Sequence, residues 1–172
     1  QQANTGLFSV GRIAEREPLF QWVGPFVSSQ NRFYTLKGSP LKINSLADAR
    51  QHKLVMPRLW YSVQYLQSQG FDDIYTVTSP EIMMNMFRNG RSDLLAASDV
   101  TLPNVLALAD LTPADVVPQF SFMEHSSYLV FSPATNPQVA LRWQKALEQL
   151  RRDGTVARLQ SRWLGHIKPR QR

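Results

Sequence analysis

The sequence contains no cysteine, which excludes disulfides, zinc–thiolate and iron–sulfur ligation, and cysteine nucleophiles. That absence fits a cytoplasmic chain and an exported one equally. Histidine is scarce, and His52, His125 and His166 stand apart from any ligand-spaced cluster, so no metal site is expected. No apolar run approaches the roughly 20 residues that a membrane-spanning helix requires. The G-x-G-x-x-G, Walker and G-x-S-x-G signatures are all missing, and no cofactor is implied. Internal repeats and low-complexity segments are absent too. The chain opens on Gln1 with neither a Met nor a signal-peptide apolar region, so its true start is expected to have been removed or to lie elsewhere.

What is present points to a folded protein. The 172 residues are 43% hydrophobic and 19% charged, enough for one ordinary domain or two small lobes with a real core. Nineteen Lys and Arg against thirteen Asp and Glu give a net charge of +6. The bases are scattered from Arg12 to Arg158, with a denser end at Arg162, Lys168, Arg170 and Arg172. No stretch interleaves them with aromatics as a single-strand groove does. A solvated face and a basic tail are therefore favoured over nucleic-acid binding, leaving a mild preference for anionic ligands or membrane surfaces.

Short apolar runs alternate with helical stretches, which predicts an α/β architecture. Strands are expected at Leu7–Val10, at Phe20–Val23 as far as the Gly24-Pro25 stop, and at Phe33–Leu36. Further strands are expected at Lys53–Met56, Ile74–Val77, Leu94–Ala97, Val116–Val117 and Tyr128–Phe131. Ser45 caps a short helix over Leu46–Arg50, Trp60–Gln69 is helical up to Gly70, and Ser79-Pro80 starts a helix ending at Gly90. On that helix Ile82, Met83, Met86 and Phe87 form the apolar face. The Met83-Met84-Met86 group reads as core filling rather than a soft-metal site. Thr101–Ala109 is helical in spite of Pro103. The strand–helix alternation predicts a mostly parallel sheet covered on both faces. Asn136-Pro137 begins a last long helix with Val139, Trp143, Ala146, Leu147 and Leu150 as its stripe. Asp153-Gly154 separates it from a short one carrying Val156, Leu159 and Trp163.

Two features suggest a ligand site. Trp60-Tyr61 stands at the head of a helix after a strand, a place that lines ligand clefts as readily as it closes a core. Arg12 and Arg16 lie four residues apart after a strand, and a guanidinium there can grip a carboxylate with two parallel hydrogen bonds. Glu15, Asp99, Glu124 and His125 are the candidate acid/base groups, with nothing obviously pairing them, so an enzyme is disfavoured.

Several segments taken in order carry a resemblance. Gly6–Arg16 with Phe20, Trp22 and Gly24-Pro25 resembles a strand followed by "T-x-E-R … F". Leu46-Ala47-Asp48 through Met56 resembles "L-x-D-L-x-G-x-x-V-x-V", and Asn89–Asp93 resembles "x-G-R-x-D". Tyr128–Ser132 followed by Asn136 to Gly154-Thr155 resembles "Y-x-x-F-S … A-L-x-x-L-x-x-D-G-T". Together they resemble the bacterial extracellular solute-binding proteins of the polar amino-acid family (family 3), the type II periplasmic binding proteins that serve ABC transporters.

The resemblance implies an α/β fold of two lobes joined by two hinge strands, Phe33–Lys37 and Ser127–Phe131. Lobe two would be residues 37–128, and residues 1–36 with 129–172 would form a partial lobe one lacking its opening strand–helix–strand. An uncovered lobe edge would favour self-association. It also implies a non-enzymatic, periplasmic protein that binds a small amino-acid-like or anionic solute in an interlobe cleft and delivers it to a membrane permease. The same fold also serves as a sensory module of signalling proteins, and a few members have become enzymes. Position by position, the carboxylate-gripping arginine falls on Arg16, with Ser9 and Gly11 as its partners; the pattern's Thr is absent at Gly11. In lobe two the ligand-facing stretch is Arg58-Leu59-Trp60-Tyr61-Ser62, bulkier than the family's small residues. The amine-binding Asp falls near Ser98, with Asp99 one residue later.

Overall fold

The structure is a computed structural model that describes residues 2–12 and 14–165. His166, Lys168, Arg170 and Arg172 lie outside the described residues, as do Ile13 and the side chain of Glu15. Among the described residues six strands, β1 (Gly6–Gly11), β2 (Gln21–Leu36), β3 (Leu54–Pro57), β4 (Ile74–Val77), β5 (Leu95–Ser98) and β6 (Val116–Phe131), are accompanied by six helices. The helices are α1 (Leu46–Ala49), α2 (Tyr61–Ser68), α3 (Pro80–Arg88), α4 (Leu102–Ala107), α5 (Pro137–Arg152) and α6 (Thr155–Leu164), with a 3-10 helix at Ala14–Leu19. Packing divides the chain into unit 1, Gln1–Ser29 with His125–Arg172, and unit 2, Gln30–Glu124. Strands β2 and β6 each run through both.

Local chemistry explains the helix starts. Ser45 Oγ accepts from the Asp48 N–H at 3.1 Å while the Asp48 carboxylate accepts from the Asn44 N–H at 2.9 Å, so each satisfies an otherwise orphaned donor. Asn136 caps α5 by accepting from the Gln138 N–H at 3.0 Å. Ser79 departs from expectation. Its carbonyl accepts from the Met83 N–H at 3.3 Å, but its side chain makes no capping bond, and its hydroxyl instead holds the Glu81 carboxyl below the usual range.

Two long strands replace the four short ones expected from the sequence. The Gly24-Pro25 pair does not stop β2, because the groups it leaves outside the ladder find partners on α5. The Gly24 N–H donates to Gln144 Oε1 at 3.0 Å, and the Pro25 carbonyl accepts from Arg151 Nη2. Val116-Val117 and Tyr128–Phe131 are likewise two ends of one strand, β6.

The expected mostly parallel sheet is also corrected. β3 and β4 are parallel, with Leu54 opposite Ile74, and a parallel bridge joins Leu54 to Leu94. By contrast β5 pairs antiparallel with β2, Asn31 opposite Ser98, and β1 pairs antiparallel with β6. The strand order is β1–β6–β2–β5, with β3–β4 apart. The crossover through α2 makes β3 and β4 parallel, whereas β2 arrives from outside that series and brings its own direction.

Unit 2 holds two apolar clusters. One gathers Tyr34, Val55, Met83, Met84, Phe87, Leu95 and Leu106, and the other Phe33, Leu54, Met56, Leu66, Phe71, Leu94 and Phe122. Met83 and Met84 are core, as the methionine grouping suggested, but Ile82 is 44% exposed and Met84 takes its place in the buried face. Unit 1 packs Val23, Leu129, Phe131, Ala140 and Leu147 together. The stripe expected on α5 is therefore only partly buried, since Trp143 and Leu150 remain exposed and Ala140 packs instead. β1 lies at the end of the sheet order, with Leu7 and Phe8 exposed. Leu7 borders a shallow apolar cavity of about 200 Å³ along with Phe20 and Val130.

Phe33 is fully buried, with its ring centroid 4.6 Å from that of Phe122 and 6.0 Å from that of Phe71. Phe33→Ala is expected to cost about 3–5 kcal/mol of stability, because a cavity adds to the lost transfer energy. Urea unfolding measures it, and a loss below about 1 kcal/mol would contradict this packing. The exposed edge of β1 is expected to drive association of the isolated chain. Light scattering reads that directly, and a monomer at all concentrations would count against it.

Candidate functional site

In unit 1 the candidate residues follow the end of β1. Arg12 forms a two-pronged pair with Glu17, its Nε donating to Oε2 at 2.7 Å and its Nη2 to Oε1. Its guanidinium carbon also lies 5.4 Å from the ring centroids of both Trp22 and Tyr128. Trp22 Nε1 donates to the Glu17 carbonyl at 3.1 Å, and the two rings meet edge to face at 5.6 Å. The 3-10 helix is thus fastened to the sheet through Glu17, whose carboxyl Arg12 holds below its usual range. Arg16, one residue earlier on the same helix, is exposed. The arginine pair therefore divides: Arg12 is engaged with its own fold, and Arg16 is exposed, with its charge felt at His125.

Gly11 and Ser9 acquire physical reasons. A Cβ at Gly11 would stand 2.5 Å from His125 Cε1, so no side chain fits there beside the histidine. A side chain at Gly11 would require the His125 ring to move. Ser9 has a φ of +59° where the β1–β6 register shifts between Leu7 and Val10, so it sits at an irregularity of the strand. His125 is half-buried, and its pKa is pushed below 6.5, first by that burial and second by the positive charge of Arg16.

In unit 2 the structure gathers Asp99, Ser98, Tyr61 and Asn31. The Asp99 N–H donates to the Gln30 carbonyl at 3.0 Å, and its Oδ1 accepts from the Gln30 N–H at 3.1 Å. Asn31, buried in β2, donates through Nδ2 to the Tyr61 hydroxyl at 2.9 Å. Gln30 Oε1 accepts from Arg32 Nη2 at 2.6 Å and from Ser121 Oγ at 3.3 Å. The Tyr61 hydroxyl is pushed up by burial, opposed by the Asn31 bond and reinforced by the charge of Asp99. Tyr34 is pushed up to about 12 by burial and then by Asp99. Trp60 and Ser62 are placed otherwise. Trp60 packs against both apolar clusters of unit 2, and Ser62 is buried. Trp60 also occupies the N-cap of α2 without a capping side-chain bond, which leaves the first N–H groups of that helix uncapped by it.

Sequence reasoning missed the polar members of β2. Ser28 to Arg32 is a run of five polar residues inside what proves to be one strand, and Ser29 and Asn31 are buried in it. That run was the available signal, because buried polar side chains in a strand require partners. Among the described residues no group of three or more His, Asp and Glu could hold a metal ion, and no helix is long and apolar enough to cross a membrane.

No protein-family model matches the chain, and neither does any curated protein. Solved structures do. A histidine kinase sensor domain with similarity to periplasmic binding proteins superposes with a TM-score of 0.77 at 19% identity, over 95% of this chain and 71% of that one. A mutant of ArgBP from T. maritima matches with a TM-score of 0.74 at 11% identity, over 91% of this chain and 67% of that one. The ancestral amino acid-binding protein AncCDT-1, a precursor of cyclohexadienyl dehydratase, matches with a TM-score of 0.70 at 19% identity, over 90% and 66%. The chain has the α/β fold of the type II periplasmic binding proteins, and it spans about two thirds of the length of these structures.

The His125 environment makes a pH prediction. A histidine whose pKa is lower folded than unfolded takes up a proton on unfolding, so its contribution to stability falls as pH drops from about 6.5 through the folded pKa. His125→Gln is expected to flatten the stability profile between about pH 7 and pH 5. In an NMR titration Arg16→Ala should raise the His125 pKa part of the way back. An unchanged value would separate the two residues.

Proposed function

We propose that this chain is the ligand-binding part of a periplasmic solute-binding protein that passes a small amino-acid-like or anionic solute to the permease of an ABC transporter. The observation that carries the reading is the division of labour between the two arginines. Arg12, Glu17, Trp22 and Tyr128 hold a short helix against the sheet, and Arg16 on that helix is exposed, with a planar donor fork suited to a carboxylate. Ser9 and Gly11, the partner positions that the resemblance implies, lie on β1 ahead of that helix. In unit 2 the solute-facing positions are the start of α2 at Trp60, Tyr61 and Ser62, where helix N–H groups suit an anion, and the Ser98-Asp99 end of β5, where a carboxylate suits an amine. In this reading residues 37–128 make lobe two and residues 1–36 with 129–172 supply lobe one, with β2 and β6 as the shared connectors.

A sensory module is the second reading, favoured by the likeness to a histidine kinase sensor domain. Both readings require the same ligand chemistry and differ in what receives the signal or the solute. An enzyme is the third, and the neighbour described as a precursor of a dehydratase is what keeps it in view. It requires a positioned acid or base, for which Glu15, Asp99, Glu124 and His125 are the candidates.

A thermal-shift screen of amino acids and small carboxylates comes first, since a ligand of the native state raises the melting temperature. With the stabilising compound, titration calorimetry on the intact protein is expected to show Arg16→Ala losing about 2–5 kcal/mol, roughly 30-fold to several thousand-fold in affinity. Arg16→Lys should recover only part of it, because charge remains and the fork does not. An Arg16→Ala variant that binds normally would return Arg16 to a solvated surface role.

A further inference from the structure

The net charge is carried by one end of the chain. Residues 137–172 hold nine Lys and Arg against Glu148 and Asp153, a balance of +7, whereas residues 1–136 hold ten against eleven. Within that end α6 carries Arg158 and Arg162 and no acid. The nearest carboxylate in sequence, Asp153, is used at the helix start, accepting from the Thr155 N–H at 2.9 Å.

The face that α6 turns to the protein is settled. Val156 packs against the unit 1 core, and Gln160 Nε2 donates to the Phe26 carbonyl at 2.9 Å. No described residue covers the other face. Leu159 and Trp163, one turn apart, are 51% and 68% exposed, and Arg158 and Arg162 form the adjacent row. The Arg162 guanidinium lies 5.3 Å from the Trp163 ring centroid. An exposed Trp and Leu beside a basic row is a poor surface for bulk water and a good one for a lipid interface. There an indole sits at headgroup depth and arginines meet phosphates.

We propose that the outward face of α6 is a docking surface for an anionic lipid bilayer, with Leu159 and Trp163 entering the interface and Arg158 and Arg162 pairing with lipid phosphates. The charge partition argues for the lipid partner over an apolar protein groove, because attraction comes from this end while the rest of the chain is near neutral. A nucleic acid shares the anionic chemistry but offers no apolar layer to a Leu–Trp pair one turn apart. This inference is independent of the ligand reading.

The test is sedimentation of the 172-residue chain with vesicles of phosphatidylcholine alone and of phosphatidylcholine with phosphatidylglycerol. Binding is expected to the anionic vesicles only, weakening as salt rises. Arg158→Gln with Arg162→Gln should weaken it roughly 30-fold, taking about 1 kcal/mol for each arginine near the surface. Trp163→Ala, which removes no charge, should weaken it about tenfold or more, and anionic vesicles should shift the indole emission of the parent chain to the blue. Lys42→Gln with Arg91→Gln removes the same charge from exposed sites elsewhere and should bind like the parent. Equal binding to neutral vesicles, equal losses in the two double variants, or no effect of Trp163→Ala would each overturn the proposal. Binding to single-stranded DNA without binding to vesicles would replace it with a nucleic-acid surface.

Discussion

A sixteen-residue strand has to find a partner for a donor and an acceptor at nearly every residue, and β2 carries a Gly-Pro pair where one donor does not exist. The strand survives because α5 supplies what the ladder cannot, through Gln144 and Arg151. Gly24 itself admits no replacement. Its φ of +146° suits glycine, and a Cβ would stand 2.7 Å from Tyr128 Cδ1. The same Tyr128 ring lies against Trp22 and Arg12. From this one continuity follow the position of Trp22, the seat of Arg12 and the course of the 3-10 helix that carries Arg16.

The second organising constraint is the burial of polar groups at the far end of β2. Asn31, opposite Ser98 and nearly fully buried, is tolerable because its amide reaches the Tyr61 hydroxyl, and Gln30 is held by Asp99, Arg32 and Ser121. These bonds join β2, β5, β6 and the head of α2 at their polar ends, while Phe33 and Tyr34 join the apolar clusters beside them. Polar satisfaction and apolar packing therefore meet on five consecutive residues. A candidate site arises there because that is where unit 2 keeps hydrogen-bonding groups grouped instead of dispersed.

Arg16 and the face of α6 draw on different physics. Arg16 requires orientation: a planar fork set by a fastened helix, selective for a planar anion. The face of α6 requires only accumulation of charge beside exposed apolar area, selective for a large anionic surface. Their separation within the chain means that loss of one leaves the other measurable.

Much of the local structure was legible in the sequence, because it rests on near neighbours. Ser45 with Asp48, Asn136-Pro137, the helices ending before Gly70 and Gly90, and the strand Ile74–Val77 all appear where capping and turn chemistry place them. Arg12 and Arg16 stood out together from their place after a strand, and only the resemblance preferred Arg16 to Arg12. Tertiary structure alone decided what depends on partners remote in sequence. It carried β2 through Gly24-Pro25, since Gln144 and Arg151 lie more than a hundred residues away, and set β5 antiparallel. It assigned Arg12 to Glu17, Trp22 and Tyr128, and it filled with the His125 ring the space a side chain at Gly11 would need. Periodicity reports which face of a segment is apolar, and says nothing of which distant group will arrive to satisfy the rest.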